Sequence, residues 1–444
     1  MIEELLSKKR FYNFEKIVKD NNEADYRSSF QKDYDRLIFS NSFRRLSRKT
    51  QVHPLSANDH VHNRLTHSLE VASVGRSLGL QCGKMLKAQY PTEEIEPYDV
   101  AYIIQTACLA HDIGNPPFGH AGEEVIKEWF NTHADTEFLN SLKPEEISDF
   151  QHFDGNAQSL RIVSKIENNL SLGGMRLTFA TLGALVKYPY SSNECKKNGR
   201  SKFNCFQSEK EFFDILFTEL GLKRDDGSYK RHIFSYLMEA ADDICYGLLD
   251  LQDAIELEII TIDDVKVIFS LLCDSIEVEA IYGNDALSDI KKVSKLVAKA
   301  IDSLAVHTME VFKANYEALM GDQQPKDLIS LFSDAALKKG IEDAKRLGHE
   351  KIFNEHRKIE LELGAYNIIE TILDNLIKAT FELYQKDENS LSFRNKRALA
   401  LMGGDKPEKS TDLFQMYQSV TDYLVGMTDN HAKYVASQLN GMGI

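Results

Sequence analysis

The densest collection of groups able to do chemistry is Leu109-Ala110-His111-Asp112-Ile113-Gly114-Asn115-Pro116-Pro117-Phe118-Gly119-His120-Ala121-Gly122-Glu123. An apolar run over residues 100–110 leads straight into it, so His111 and Asp112 stand where an interior helix is expected to end. Burying an adjacent imidazole and carboxylate is costly unless they bind a metal or pair tightly. An isolated His-Asp dipeptide is more often a surface or capping pair. Here a second imidazole, His67, lies upstream in Asn63-Arg64-Leu65-Thr66-His67-Ser68-Leu69-Glu70, and carboxylates lie downstream in Glu239-Ala240-Ala241-Asp242-Asp243-Ile244-Cys245-Tyr246. Two imidazoles with two carboxylates suit a divalent ion such as Mn²⁺, Mg²⁺, Fe²⁺, Co²⁺ or Zn²⁺, and ligand type alone does not choose among them.

Helical geometry separates the two adjacent aspartates. At about 100° per residue, Asp242, Tyr246 and Asp250 follow one stripe with about 40° of drift per step. Asp243 is followed at the same spacing by Gly247 and Leu251. A polar stripe on an otherwise apolar helix marks a wall that faces a site, so Asp242 is the expected ligand and Asp243 a solvated or hydrogen-bonding neighbour. His120 and Glu123, three apart, could share a helix face, with the carboxylate orienting the imidazole as a general acid needs, although alone such a pair is more often a surface contact. Arg64, three residues before His67, adds a cation beside this set.

Together these residues resemble the HD-superfamily phosphohydrolases and, within them, the deoxyguanosine triphosphate triphosphohydrolases, or dGTPases. The resemblance runs almost continuously from Arg27 to about Asp253. It includes Phe43-Arg44-Arg45-Leu46, Lys49-Thr50-Gln51-Val52, Arg64-Leu65-Thr66-His67-Ser68, Asp154-Gly155-Asn156-Ala157-Gln158 and Val186-Lys187-Tyr188-Pro189. It returns in Thr421-Asp422-Tyr423-Leu424-Val425-Gly426-Met427-Thr428-Asp429, which is similar to that family's terminal helix, and fades between about 260 and 400. What it implies is a metal held by His67, His111, Asp112 and Asp242, with Mn²⁺ or Mg²⁺ the leading candidates, and His120 and Glu123 in catalysis. It implies attack at the α-phosphate of dGTP or another dNTP, releasing the deoxynucleoside and intact inorganic triphosphate, with His120 protonating the departing 5′ oxygen. Arg64 would offset charge growing on a phosphoryl group under attack by metal-activated water. Lys187 would contact the triphosphate, Gln51 and Asp250 the 3′ hydroxyl, and Tyr188 with Asn156 would shape a substrate pocket that includes Val52. Tyr246 fits a ring packed against C2′, excluding a 2′ hydroxyl by contact; on an amphipathic helix it could equally be a core aromatic. Arg394 or Arg397 could add a phosphate contact, although such arginines are more often solvated. The resemblance also implies a homo-oligomer, a hexamer among the options, and activation by a dNTP or single-stranded DNA at another site.

Helices must hold these groups in place. Apolar residues recur at three- and four-residue spacing over 100–110, 233–255, 278–319 and 361–383, whereas strand-like alternation is scarce. The expected fold is therefore all-α, mainly helical: an HD-domain helical core with an N-terminal extension over residues 1–260, and additional C-terminal helices over 261–444 that pack on the core and contribute to pocket and oligomer contacts. The acidic helical stretches over 277–319 and 359–383 offer apolar stripes for those contacts. Loops are expected at 91–97, 188–206, 221–229 and 401–410, where turn formers cluster. With 444 residues, 43% hydrophobic and 27% charged, extensive disorder is excluded. A net charge of −15 argues against coating nucleic acid as the main task. The first ten residues lack an apolar targeting segment and no apolar run approaches the roughly 18 residues of a membrane span, so a soluble, cytoplasmic chain is expected. Six cysteines without a CxxC pair are expected as reduced core thiols, and a zinc or disulfide role for Cys195 and Cys205 lacks His partners at ligand spacing.

Two departures from the family pattern bear on specificity: His53-Pro54 stands where an aromatic residue is expected, and Asp429-Asn430-His431 where an Arg-Tyr pair is expected. His60 and His62 also crowd near His67, where either could be mistaken for a ligand. An HD phosphohydrolase with broader dNTP or other nucleotide substrates is therefore a second expectation, against which Gln51, Tyr246 and Asp250 argue because they suit a deoxyribose. A third is a nucleotide- or single-strand-binding regulator with a vestigial site, using the basic runs Arg44-Arg45-Leu46-Ser47-Arg48-Lys49 and Lys196-Lys197-Asn198-Gly199-Arg200-Ser201-Lys202. The presence of every expected ligand argues against a dead site.

Overall fold

A computed structural model describes residues 2–13, 16–19, 26–52, 58, 60–167, 173–197 and 200–442. His53 and part of the second basic run lie outside the described residues. The long helix α1 (Arg64–Gln89) begins where Asn63 caps it: the Asn63 side chain accepts the N–H groups of Leu65 and Thr66, and the Thr66 hydroxyl accepts the Asn63 N–H. Helix α2 (Pro97–Ala110) opens on Pro97, whose missing N–H would be unpaired in a first turn anyway. The apolar run read from the sequence becomes an interior helix, with Val100, Ile103, Ile104, Ala107 and Cys108 fully buried.

Gly75, Gly79 and Gly83 stand four apart on one face of α1; Gly79 and Gly83 let the two helices approach backbone to backbone, and Gly75 leaves room for the Cys108 side chain. A Cβ at Gly79 would lie 2.7 Å from the Cα of Ala101, and one at Gly83 would lie 2.6 Å from the Cα of Pro97. The pairing is antiparallel, so the start of α1 meets the end of α2 and His67 comes beside His111, ring centroids 5.5 Å apart. Helix α3 (His120–Thr132) follows, and α4 (Ile233–Glu256) packs on both α1 and α2. Helix α5 (Asp289–Ala314) packs against α4, while α6 (His356–Gln385) packs against α3, α7 (Phe393–Ala400), α8 (Leu413–Val425) and α9 (Asp429–Leu439). Ile369, Ile372, Leu373, Leu376 and Ile377 of α6 are fully buried within the chain, whereas Ile359 and Leu363 near its start are exposed.

The fold is mainly helical, as expected, with three local differences. The stretch 278–319 is not continuous: it is divided among Ser275–Tyr282, Asp289–Ala314 and Tyr316–Met320, because Gly283-Asn284-Asp285 forms a turn and Ser288 caps the next helix. The expected loop over 188–206 contains a helix, Ser192–Lys197. A short antiparallel hairpin pairs Lys9–Asn13 with Lys16–Lys19, too brief for alternation to announce it. All six cysteines are free thiols, five of them buried. Among the described residues no helix is long and apolar enough to cross a membrane.

The helix contact yields a stability prediction. Alanine at Gly79 gains about 1 kcal/mol of helix propensity but must push apart two packed backbones. Gly79→Ala should therefore be net destabilising by about 1–3 kcal/mol in chemical denaturation. Gly364→Ala on α6, whose Cβ would meet nothing within 4 Å, should hold or add stability. Unchanged stability in Gly79→Ala would show that the close approach is not needed.

Candidate metal centre and substrate site

Three helices deliver four donor groups to one point. His67 comes from the first turn of α1, His111 and Asp112 from the end of α2, and Asp242 from the middle of α4. Nε2 of His67 lies 3.3 Å from Asp242 Oδ1. Nε2 of His111 lies 3.4 Å from the same oxygen and 3.5 Å from Asp112 Oδ1. One ligand atom each from His67, His111 and Asp112 lies within 4.8 Å of the others. Donors about 2.1 Å from a common ion stand about 3.0–3.4 Å apart in tetrahedral or octahedral arrangements, so the observed spacing fits a divalent cation. The Cys108 carbonyl lies 2.6 Å from His111 Nδ1, which leaves Nε2 directed at the cluster.

Surrounding charges keep the carboxylates ionised. Burial opposes charge on Asp112, but Arg64, His111 and His67 outweigh it and hold the carboxyl at about 2. Burial likewise opposes charge on Asp242, yet Lys187 and His111 hold it well below the usual carboxylate range. The contacts are direct: Arg64 Nη1 is 2.7 Å from Asp112 Oδ2, and Lys187 Nζ is 2.8 Å from Asp242 Oδ2. Asp243 turns away, 3.0 Å from Lys345.

A strained turn joins this cluster to α3. Phe118 and Gly119 both have positive φ, 63° and 59°. The Arg64 guanidinium occupies the space a side chain at Gly119 would need, since a Cβ there would lie 2.3 Å from Nη2. Asp429, at the start of α9, holds the turn from outside: Oδ1 accepts the Phe118 N–H at 2.9 Å and Oδ2 the Thr50 N–H at 3.0 Å. Lys49 donates to the carbonyls of Asn115 and Val425, both at 2.6 Å. Burial, with Arg45 and Arg64 nearby, lowers the Lys49 ammonium to about 7. His120 then opens α3 with a side chain 78% exposed, free to meet a ligand, and its Nδ1 is 3.6 Å from Oε2 of buried Glu123.

The expected substrate residues differ in their surroundings. Tyr246 and Asp250 follow Asp242 by one and two turns of α4; Tyr246 is partly exposed and Asp250 is buried. Burial and Asp253 push the Asp250 carboxyl well above its ordinary range. Gln51 Oε1 is buried with no hydrogen-bond partner among the described residues, and Val52 beside it is buried. Asn204, which no motif had singled out, accepts the Tyr188 N–H at 2.8 Å and donates to the Asn156 carbonyl at 2.9 Å, tying those two together. Arg394 and Arg397 are on the exposed face of α7, where Arg394 donates to Asn375 at 3.0 Å and Arg397 lies over the Phe393 ring at 5.2 Å; neither contact reaches the cluster. His62 is engaged elsewhere, 2.6 Å from Asp253 and 3.2 Å from Glu70. Burial disfavours its charge, but those two carboxylates raise its imidazole to about 10. His60 is exposed. Sequence reasoning missed the positioning roles of Asn204, Asp429 and Lys49: Asn204 sits in an unpatterned loop, while the other two lay inside motifs whose partners only the fold reveals.

Comparison with known proteins gives the chain's family. An HD domain family model matches residues 64–152. The chain is 43% identical to a deoxyguanosinetriphosphate triphosphohydrolase-like protein of Pseudomonas aeruginosa over 96% of both chains. It is 33% identical to a protein of the same description from Synechocystis, over 94% of this chain and 95% of that one. It is 30% identical to the deoxyguanosinetriphosphate triphosphohydrolase of Serratia proteamaculans, over 81% of this chain and 79% of the relative.

Metal binding should be pH-dependent in a definite direction. Burial disfavours the charged His111 imidazole, but Asp112 and Asp242 raise its proton affinity above the ordinary value, so an ion must displace a proton. Mn²⁺ affinity measured calorimetrically should rise between about pH 6 and about pH 8, with proton release visible in buffers of different ionisation heat. Asp242→Ala should lose the ion and Asp243→Ala should keep it; the reverse would put Asp243 on the metal.

Proposed function

We propose, for a chain that belongs to the deoxyguanosinetriphosphate triphosphohydrolase family of HD-domain phosphohydrolases and is on that ground a metal-dependent nucleotide hydrolase, that the substrate is a deoxynucleoside triphosphate, dGTP foremost. The reaction is hydrolysis at the α-phosphate, giving deoxynucleoside and inorganic triphosphate. The observation that carries this is the convergence of His67, His111, Asp112 and Asp242 beside two buried cations, with Tyr246 and Asp250 continuing along the same helix.

In this mechanism His67, His111, Asp112 and Asp242 would hold a divalent ion, Mn²⁺ or Mg²⁺. When bound, such an ion supplies Lewis-acid activation of water and of the phosphoryl group. Arg64 and Lys187 sit with their charges already desolvated and aimed at the cluster, so they offset negative charge on phosphoryl oxygens without reorganising. His120, exposed at the head of α3 and backed by Glu123, donates a proton to the departing 5′ oxygen. Gln51 Oε1 and the Asp250 carboxyl accept or share hydrogen bonds with the 3′ hydroxyl, which would satisfy the unpartnered Gln51 oxygen. The Tyr246 ring against C2′ leaves no room for a ribose hydroxyl.

Incubating the purified protein with Mn²⁺ or Mg²⁺ and each of the four dNTPs and four NTPs separately, with chromatographic product analysis, should give deoxyguanosine and triphosphate from dGTP. The same products from several dNTPs would keep the chemistry and discard the guanine preference. Pyrophosphate or orthophosphate as the first product would overturn attack at the α-phosphate. His120→Ala should keep its metal content but lose turnover by about a hundredfold or more, the scale of a lost general acid.

A further inference from the structure

His111 and Asp112 are consecutive, so the conformation of the turn His111–Gly114 decides whether both can reach one ion. Their side chains have guides of their own: His111 Nδ1 faces the Cys108 carbonyl, and Asp112 accepts hydrogen bonds from Arg64 at 2.7 Å and from Asn115. The backbone that carries them meets Ser159, just past the Asp154–Gln158 motif. The Ser159 hydroxyl donates to the His111 carbonyl at 3.0 Å and accepts the Gly114 N–H at 2.9 Å, so one side chain spans both ends of the turn. Gly114 permits this approach: a Cβ there would lie 2.2 Å from the Ser159 nitrogen and 2.3 Å from the Gly155 carbonyl oxygen. Ser159 and Gly114 are both buried, so bulk water cannot stand in for either bond.

We infer that Ser159 is a positioning residue for the ion: by closing the turn His111–Gly114 it sets the directions of His111 and Asp112, and with them the affinity of the cluster. The inference rests on the reading of His67, His111, Asp112 and Asp242 as ligands. The short helix Gly155–Arg161 that carries Ser159 is anchored independently of those ligands. Before its first residue, the Asp154 carboxylate accepts the N–H groups of Asn156 and Phe203, each at 2.9 Å. At its end, Arg161 grips Asp422 of α8 through Nε and Nη2, at 2.9 and 2.8 Å, and Gln158 donates to the same carboxylate at 2.8 Å. The hydroxyl therefore reaches the turn from a platform that does not move with it. Coordination tolerates departures of only about 0.2 Å from ideal donor distances, and a turn without its closing bonds has more freedom than that. A buried serine bonded to a nearby carbonyl is common as plain packing, and Ser164 is such a case, donating to the Leu160 carbonyl at 2.6 Å. Ser159 differs in bonding, through both capacities of its hydroxyl, to the residues that frame Asp112.

The test is calorimetric titration of the metal-stripped, full-length protein with Mn²⁺, far below its unfolding temperature. Ser159→Ala should raise the Mn²⁺ Kd by about 10–100-fold, the usual weight of a partner that orients a metal ligand. Ser164→Ala, which deletes a buried hydroxyl away from the turn, should stay within about twofold of the unaltered protein. Amide hydrogen exchange without any metal gives an independent readout: the Gly114 N–H should exchange about tenfold faster in Ser159→Ala, while the amides of α6 keep their rates. Ser159→Cys, close in shape but a poor hydrogen-bonding group, carries the same expectations if the alanine variant does not fold. An unchanged Mn²⁺ Kd or an unchanged Gly114 exchange rate in either folded variant overturns the inference. An equal loss of affinity in Ser164→Ala also overturns it, because the effect would then be general loosening of the interior. No Mn²⁺ uptake by the unaltered protein would instead remove the ligand reading itself, and the inference with it.

Discussion

The whole site depends on how closely two helices can approach. His67 and His111 are 44 residues apart in sequence and become neighbours because α1 and α2 touch through Gly75, Gly79 and Gly83. A glycine in a helix interior costs about 1 kcal/mol relative to alanine, and three on one face would be poor helix design in isolation. The cost is offset by close packing of two interior helices, backbone against backbone at Gly79 and Gly83 and with the Cys108 side chain seated at Gly75, which fixes their axial register as well as their distance. The third wall, α4, then closes over the pair and sets Asp242 against both imidazoles.

Within that frame electrostatics sets the state of each group. Two carboxylates with two imidazoles would be costly to bury without compensation. Arg64 and Lys187 supply it, each on a carboxylate oxygen at the edge of the cluster, while Asp242 Oδ1 remains turned toward the imidazoles. The same cations that make the cluster tolerable to bury are therefore already in place for an anionic ligand. This is preorganisation of the kind catalysis needs.

The C-terminal helices support α3, which carries His120, and the turn before it. Asp429 bridges Thr50 and Phe118 across more than 300 residues, holding open a backbone conformation that side-chain-bearing residues rarely adopt. Trp129 of α3 donates to Asp374 of α6 at 2.9 Å, and Tyr366 of α6 donates to Glu128 at 2.8 Å. Helix α6, in the stretch where resemblance to known motifs fades, thus braces the helix that carries His120.

The sequence by itself determined the helical class, the HD motif and the stripe Asp242–Tyr246–Asp250, because helical periodicity and short-range spacing are local properties that a chain carries before it folds. It also held the glycine spacing of α1, although nothing in one chain says what such a face will meet. Only the tertiary structure decided that Asp243 pairs with Lys345, that His62 is taken by Asp253 and Glu70, and that Arg394 meets Asn375 while Arg397 lies over the Phe393 ring. It alone brought Asp429 against Phe118 and Asn204 against Tyr188 and Asn156. Each of these choices is a partnership between residues far apart in sequence, settled by which side chains can be buried with their charges and hydrogen bonds satisfied.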